Sequence, residues 1–200
     1  MTAEFQTLEI RRDHEHVETV VLSRPDAANA LDTRMGQELV AYFETLALEP
    51  GRARCVVLTG AGERAFCAGG DLKERRGMSV EAWTAQHLVF ERMARALLDC
   101  PVPVIAAVNG YALAGGLELM MCCDMTIAAE DALFGEPEVR HVSGPPTLML
   151  PWTVPMIHAR HLMYTGDLID GREAHRIHLV NKVVSRAALI PEAERLARKC

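Results

Sequence analysis

Between Pro103 and Asp124 the chain reads PVIAAVNGYALAGGLELMMCCD, and this stretch limits the folds open to it. Val104 to Val108 is an unbroken apolar run, the pattern of a strand covered on both faces. Asn109-Gly110 ends the run. From Gly115-Gly116 onward, Leu117, Leu119, Met120, Met121 and Cys122 predict a helix buried almost all round. A strand, a glycine turn and a buried helix leave backbone N–H groups without partners at the helix's first turn. Such groups, at the positive end of the helix dipole, stabilise a negative oxygen. Glu118 stands about one turn into this apolar helix. Glutamate is rarely buried unless it is paired, so its presence there asks for a reason.

The rest of the chain alternates in the same way. Val17 to Leu22 predicts a strand, and Asn29 to Leu48 an amphipathic helix stopped by Pro50-Gly51. Cys55 to Thr59 predicts a second buried strand, followed by the glycine-rich loop GAGERAFCAGGDL and a helix over Val80 to Leu98. Beyond the central stretch come a strand at Met125 to Ala128, the loop FGEPEVRHVSGPP and a proline-interrupted helical stretch through Met163. A short helix (Arg172 to Ile177), a strand (Val180 to Val184) and a helix (Ala187 to Lys199) complete the pattern. Strand and helix in alternation with short connections define the α/β class. Two hundred residues without a low-complexity linker suit one domain with a sizeable core, or one domain and a fragment of a second.

Charge and cysteine usage exclude several function classes. A net charge of −6 without a basic stripe argues against nucleic acid as partner, since Lys73, Arg75 and Arg76 are interrupted by Glu74. Six cysteines without a C-x-x-C pair point to a reducing, cytoplasmic setting. The N-terminus carries no signal-peptide pattern, and no apolar run approaches the roughly 20 residues of a membrane span.

The glycine loops fail the common nucleotide patterns. After Gly60-Ala61-Gly62 the third glycine of a dinucleotide fingerprint would fall at Ala65, and Gly69-Gly70 precede Asp71 instead of Lys-Ser/Thr. No G-x-S-x-G elbow carries a serine nucleophile. His14-Glu15-His16 lacks H-E-x-x-H spacing, so no metal is expected, and Cys67 reads as packing. Gly69-Gly70 and Gly115-Gly116 each follow a buried strand. If those strands are neighbours, two backbone N–H groups can converge on one oxygen as an oxyanion hole.

At this point three segments carry a family resemblance: AFCAGGDLKE (Ala65–Glu74), AAVNGYALAGGLELMMCCD (Ala106–Asp124) and FGEPEV (Phe134–Val139). With Arg24-Pro25, Asn29-Ala30-Leu31, Thr165-Gly166, Ala174 and Leu179-Val180, the chain resembles the crotonase superfamily, specifically the enoyl-CoA hydratase/isomerase family. The resemblance implies a crotonase-like spiral of repeated ββα units over residues 1–186, with 187–200 opening a C-terminal helical region cut short at Cys200. In relatives that region covers the active site and helps build trimers, so a homotrimer or dimer of trimers is the implied assembly.

The site follows residue by residue. The resemblance makes the amides of Gly70 and Gly115 the oxyanion hole, and has Gly70, Asp71, Leu72 and Lys73 line the CoA moiety. Ala68 falls beside the adenine end and Arg24 near the CoA phosphates. Glu118 corresponds to the water-activating residue and Glu138 to the proton donor of a hydratase. His141, three residues on, adjusts Glu138, contacts substrate or lies on the surface. The implied reaction is hydration of a 2-enoyl-CoA thioester, with no cofactor, because coenzyme A belongs to the substrate. Isomerisation, carnitinyl-CoA-type dehydration and thioester hydrolysis are the alternatives on the same fold. A non-catalytic CoA-ester or RNA-binding relative is the alternative of another class. The chain departs from the pattern at Val139 to Pro146, at Ala114 where a third glycine is common, and at Gly70 where alanine is common.

Overall fold

The computed structural model describes residues 5–14, 16–49, 51–141 and 149–200, apart from the side chains of residues 13, 14 and 141. Pro50, the middle of the His14-Glu15-His16 triplet, the side chain of His141 and the departure at Val142 to Pro146 lie outside the described residues.

In chain order the elements are β1 (Leu8–His14), β2 (Val17–Leu22), α1 (Thr33–Leu48), β3 (Cys55–Gly60), β4 (Ala65–Cys67), α2 (Leu72–Arg75) and α3 (Val80–Leu98). They continue with β5 (Val104–Val108), β6 (Tyr111–Leu113), α4 (Gly115–Met121), β7 (Met125–Ala129) and β8 (Leu133–Gly135). Then follow α5 (Leu150–Thr153), α6 (Met156–Thr165), β9 (Ile169–Asp170), α7 (Gly171–Arg176), β10 (Lys182–Val184) and α8 (Leu189–Ala197). A 3-10 turn over Pro137–His141 carries Glu138.

Two sheets organise these pieces. The larger has the order β1-β2-β3-β5-β7-β10, parallel throughout except for the antiparallel β1–β2 edge. The smaller has the order β4-β6-β8-β9, with only β9 antiparallel. The pairs β3–β4, β5–β6 and β7–β8 each send their first strand to the large sheet and their second to the small one. That repetition is the ββα spiral. Every residue of β2, β3 and β5 is buried, which is why β3 and β5 begin as apolar runs instead of alternating, while β2 also buries Glu18 and Thr19. Aligned across the sheet, Val20, Leu58, Ala106 and Thr126 form one buried row. Helix α8 packs on β3, β5 and β7 through buried Leu189, Ala193 and Ala197.

Three details differ from the sequence reading. The small sheet was not anticipated, because strands of three residues are too short to show a period. Strand β1 was missed because LEIRRDH is mostly charged; it forms the edge of the large sheet, where charged side chains are common. Helix α1 begins at Thr33, four residues after the expected Asn29. Asp32 caps it by accepting from the Met35 N–H, while Ala28 and Asn29 take positive φ, which a helix cannot use.

Candidate active site

The small sheet brings the two glycine loops together. Strands β4 and β6 lie side by side in parallel, with Cys67 opposite Ala112, so the residues that follow each strand emerge as neighbours. Gly69 has φ +92°, and a Cβ there would sit 2.8 Å from the Ala114 Cβ and 3.3 Å from the Gly115 nitrogen. At Gly116 a Cβ would run into the Cys67 carbonyl, so only glycine lets α4 press against the end of β4.

The same packing positions the amides. Leu31 N–H donates to Gly69 O (2.8 Å) and Asp71 N–H donates to Leu31 O (2.9 Å), which leaves the intervening Gly70 N–H outside that pairing. Gly115 is the first residue of α4, and its N–H has no intrahelical acceptor. Among the described residues neither N–H donates a backbone hydrogen bond. The point where Gly115 would carry a Cβ is 3.8 Å from the Gly70 nitrogen, and both residues are partly open to solvent. Two donors without a backbone partner thus stand close together where β4 and β6 end.

Three carboxyl groups gather near it. Glu118, half-buried on α4, has a proton affinity pushed up to about 8 by burial and then by the neighbouring Glu138 charge. Glu138 is half-buried on the 3-10 turn that follows β8. Glu136, 1% exposed, has no well-aligned hydrogen-bond partner on either carboxyl oxygen among the described residues, although the Glu138 carboxyl is close enough to share a proton with it. Burial, with Glu138 and Glu118 close by, raises it far above the usual carboxylate range. Sequence reasoning assigned Glu136 nothing, although its only visible signal was a place two residues before Glu138. Among the described residues no group of three His, Cys, Asp or Glu side chains is arranged to hold a metal ion.

The other expected contacts divide into inner and outer sets. Arg24 turns inward: its guanidinium donates to Asp71 Oδ2 (2.8 Å) and the Ala30 carbonyl (2.6 Å) and pairs with Asp32 (3.2 Å). Asp71 in turn caps α2 by accepting from the Lys73 and Glu74 N–H groups. Burial would raise Asp71, but Arg24 and these amides outweigh it and hold the carboxyl below its usual range. Asn29 fixes the same corner by accepting from Arg24 N–H and donating to the Ala61 and Ala65 carbonyls. Leu72 and Lys73 are exposed, and Ala68 is partly so. Cys67 is fully buried with its thiol pushed up to about 12, a packing residue and a poor nucleophile.

Arg75 is the other residue sequence reasoning passed over, because LKER reads as a solvated charge run. Its Cζ lies 2.7 Å from the point where Gly70 would carry a Cβ, directly beside that residue's backbone. A groove bordered by Phe5, Leu8, Tyr42 and Arg52 shares no residue with this site.

A spiral of ββα units with two unpaired amides at the ends of adjacent small strands defines a crotonase-fold protein. Residues 12–200 match the family model described as Enoyl-CoA hydratase/isomerase. The crotonyl-CoA hydratase of Syntrophomonas wolfei is 37% identical over 191 residues, covering 94% of this chain and 73% of that protein. The (E)-benzylidenesuccinyl-CoA hydratase of Thauera aromatica is 37% identical over 198 residues, covering 96% and 75%. A crystal structure of enoyl-CoA hydratase from Bacillus anthracis aligns with a TM-score of 0.94 at 38% identity, covering 97% of this chain and 76% of that one. The chain belongs to the enoyl-CoA hydratase/isomerase family, and these matches support enoyl-CoA hydratase activity.

Proposed function

We propose that the protein adds water across the double bond of a 2-enoyl-CoA thioester, with Gly70 and Gly115 N–H holding the thioester oxygen and Glu118 and Glu138 handling the protons. The observation that supports this is a pair of amides without backbone partners, brought close together after β4 and β6, with two carboxyl groups of the adjoining segments that feel each other's charge. In hydration the water oxygen attacks C3 and its proton passes to the Glu118 carboxylate. The π electrons move toward the thioester, whose oxygen takes up negative charge against the two amides. The Glu138 carboxylic acid then gives its proton to C2.

Glu118 is raised to about 8 by burial and by the Glu138 charge, so near neutral pH it holds its proton in the free site. Dehydration runs the transfers backward and starts with Glu118 protonated and Glu138 ionised. The first of these conditions is the one the free site favours, where burial and then the nearby Glu138 keep the proton on Glu118. In the hydration direction the proton returns from Glu118 to Glu138 through solvent after each turnover. No cofactor or metal enters these steps.

The rest of the reading is organised around this site. The CoA moiety runs over Ala68, Gly70, Leu72 and Lys73. Arg24 serves by holding Asp71 and hence the start of α2, a positioning part instead of a direct phosphate contact. The related hydratases are named for crotonyl and benzylidenesuccinyl thioesters, so family membership alone leaves the acyl group open. We assign a cytoplasmic, trimeric or hexameric enzyme with no nucleic-acid or membrane partner. The exposed apolar side chains Trp152, Ile157 and Tyr164 on α5 and α6 support a subunit interface. Among the described residues no helix is long and apolar enough to cross a membrane.

Isomerisation keeps the fold and hole, but family isomerases often manage with one of the two glutamates, and both are present here. Loss of crotonyl-CoA absorbance on adding the purified protein is the expected result. Binding of CoA esters with no absorbance loss would replace the hydratase by a binding module.

A further inference from the structure

Arg75 is held from behind and open in front. Its Nε donates to Gln86 Oε1 (2.8 Å). Gln86, 1% exposed on α3, is itself fixed by donating through Nε2 to Glu74 Oε2 (2.7 Å) and Thr33 Oγ1 (2.9 Å). The guanidinium also lies over the Phe90 ring, 5.7 Å from its centroid. Its terminal nitrogens sit 2.9 and 3.0 Å from the point where Gly70 would carry a Cβ. Among the described residues those two nitrogens make no hydrogen bond and the side chain makes no ion pair. Burial works against its positive charge, and Glu74 and Glu138 close by offset only part of that without being bonded to it.

A fork of two donors, half-buried beside the amide that grips the thioester oxygen, is matched by a planar anion. A hydrocarbon acyl chain laid against it would strip water from the cation and offer nothing in return. Resting on the hydratase reading above, we propose that Arg75 selects the acyl group and that the substrate is the CoA thioester of an unsaturated dicarboxylic acid. Its second carboxylate accepts from the two terminal nitrogens of Arg75. Gln86 is the positioning residue that aims them.

Crotonyl-CoA and glutaconyl-CoA test this, since they differ by a carboxyl group at the far end of the acyl chain. The wild-type kcat/KM is expected to favour glutaconyl-CoA by about tenfold or more, the order of one charge-assisted pair. Arg75→Met should lower the glutaconyl-to-crotonyl ratio at least tenfold, with Arg75→Lys intermediate and Gln86→Leu a smaller change in the same direction. Equal turnover of the two thioesters by the wild type overturns the inference. So does an equal fall with both in Arg75→Met, which would make Arg75 a partner of Glu138 only. Calorimetry with glutaryl-CoA and butyryl-CoA, which have no double bond to hydrate, keeps the two proposals apart. Tighter binding of glutaryl-CoA that is lost in Arg75→Met supports carboxylate recognition even if hydration fails. Equal affinities reject it even if hydration succeeds.

Discussion

Two places in this molecule bury glutamate, and they do so in opposite ways. Glu18, on β2, has a side chain 2% exposed and meets Arg52 (2.9 Å), Arg12 (2.8 Å) and the Tyr42 hydroxyl (2.8 Å). Burial would raise its proton affinity, but the Arg52 and Tyr42 hydrogen bonds and the two cations bring it below the usual value. At the other site Glu118 and Glu136 are raised, because burial is reinforced by neighbouring carboxylates. Arg75, the cation beside Gly70 there, is bonded through Nε to a neutral amide. The fold can therefore supply counter-charges to a buried carboxylate where stability needs them. Where it withholds them, the carboxyl group keeps its proton near neutrality and can exchange it with a ligand.

The largest effect expected from this contrast lies in catalysis. Glu138→Gln and Glu118→Gln should each lower crotonyl-CoA hydration by roughly 10²–10⁴-fold, the usual range for a placed acid or base. Acyl-CoA affinity should stay within a few-fold, since the amides of Gly70 and Gly115 are untouched. A variant with near-normal kcat would remove that residue from the chemistry and dissolve the contrast.

Glu18→Ala should show the reverse. Removing one member of a buried ion pair costs roughly 3–5 kcal/mol, because Arg52 and Tyr42 lose their acceptor. Urea denaturation should show that loss, while the folded fraction hydrates crotonyl-CoA at the wild-type rate. A stable Glu18→Ala protein with impaired kcat would mean that the two sites are not separable in this way.

Much of the second site, and little of the first, was legible in the sequence. The bounds of α3 and β5 follow from helical spacing and from an uninterrupted apolar run, and the structure has the same bounds. Glu118 and Glu138 stood out because one interrupts an apolar helix and the other belongs to a recognisable motif. Glu18 sits in VETVVL, where alternation would place it on a wet face; only the long-range approach of Arg52 and Tyr42 makes it a core residue. Arg75 and Gln86 escaped for the same reason. They lie eleven residues apart with one in a charge run, and their bond exists because α2 folds back on α3. Glu136 was hidden by β8, too short to reveal which side chains turn inward.

Glu136 offers a finer test through pH. Its carboxyl titrates near 4.5 when unfolded and well above that when folded, so the folded state holds a proton that the unfolded state releases. Its contribution is fully present below about pH 4.5 and is lost as pH rises toward the folded-state value. Between pH 5 and 8 the wild-type protein should therefore lose stability, with Glu118 adding to the same trend up to about 8. Glu136→Gln removes one of the two groups. Relative to wild type it should gain about 3–4 kcal/mol at pH 8 over pH 5, since each pH unit of that window is worth about 1.4 kcal/mol, by denaturation midpoints at both values. The same substitution at position 18 should show no such gain, since Glu18 titrates in the opposite sense.

The smallest expected effect concerns the backbone that joins the two amides. Ala114, between β6 and α4, has φ +54° and ψ −131°, a conformation that side chains disfavour by about 1–3 kcal/mol. It is held there from both sides: its N–H donates to Gly135 O (2.9 Å) and its carbonyl accepts from Leu117 and Glu118 N–H groups. Ala114→Gly relaxes that strain but widens the unfolded ensemble, which offsets part of the gain by about 0.4–1 kcal/mol. The expected net result is a stabilisation of about 1 kcal/mol with kcat changed less than twofold, because the Gly115 N–H keeps its direction. A loss of stability would show that the strain is absent. A large rise in kcat would show instead that Ala114 holds the Gly115 amide away from its best alignment, so that the strained corner limits catalysis more than the carboxyl groups do.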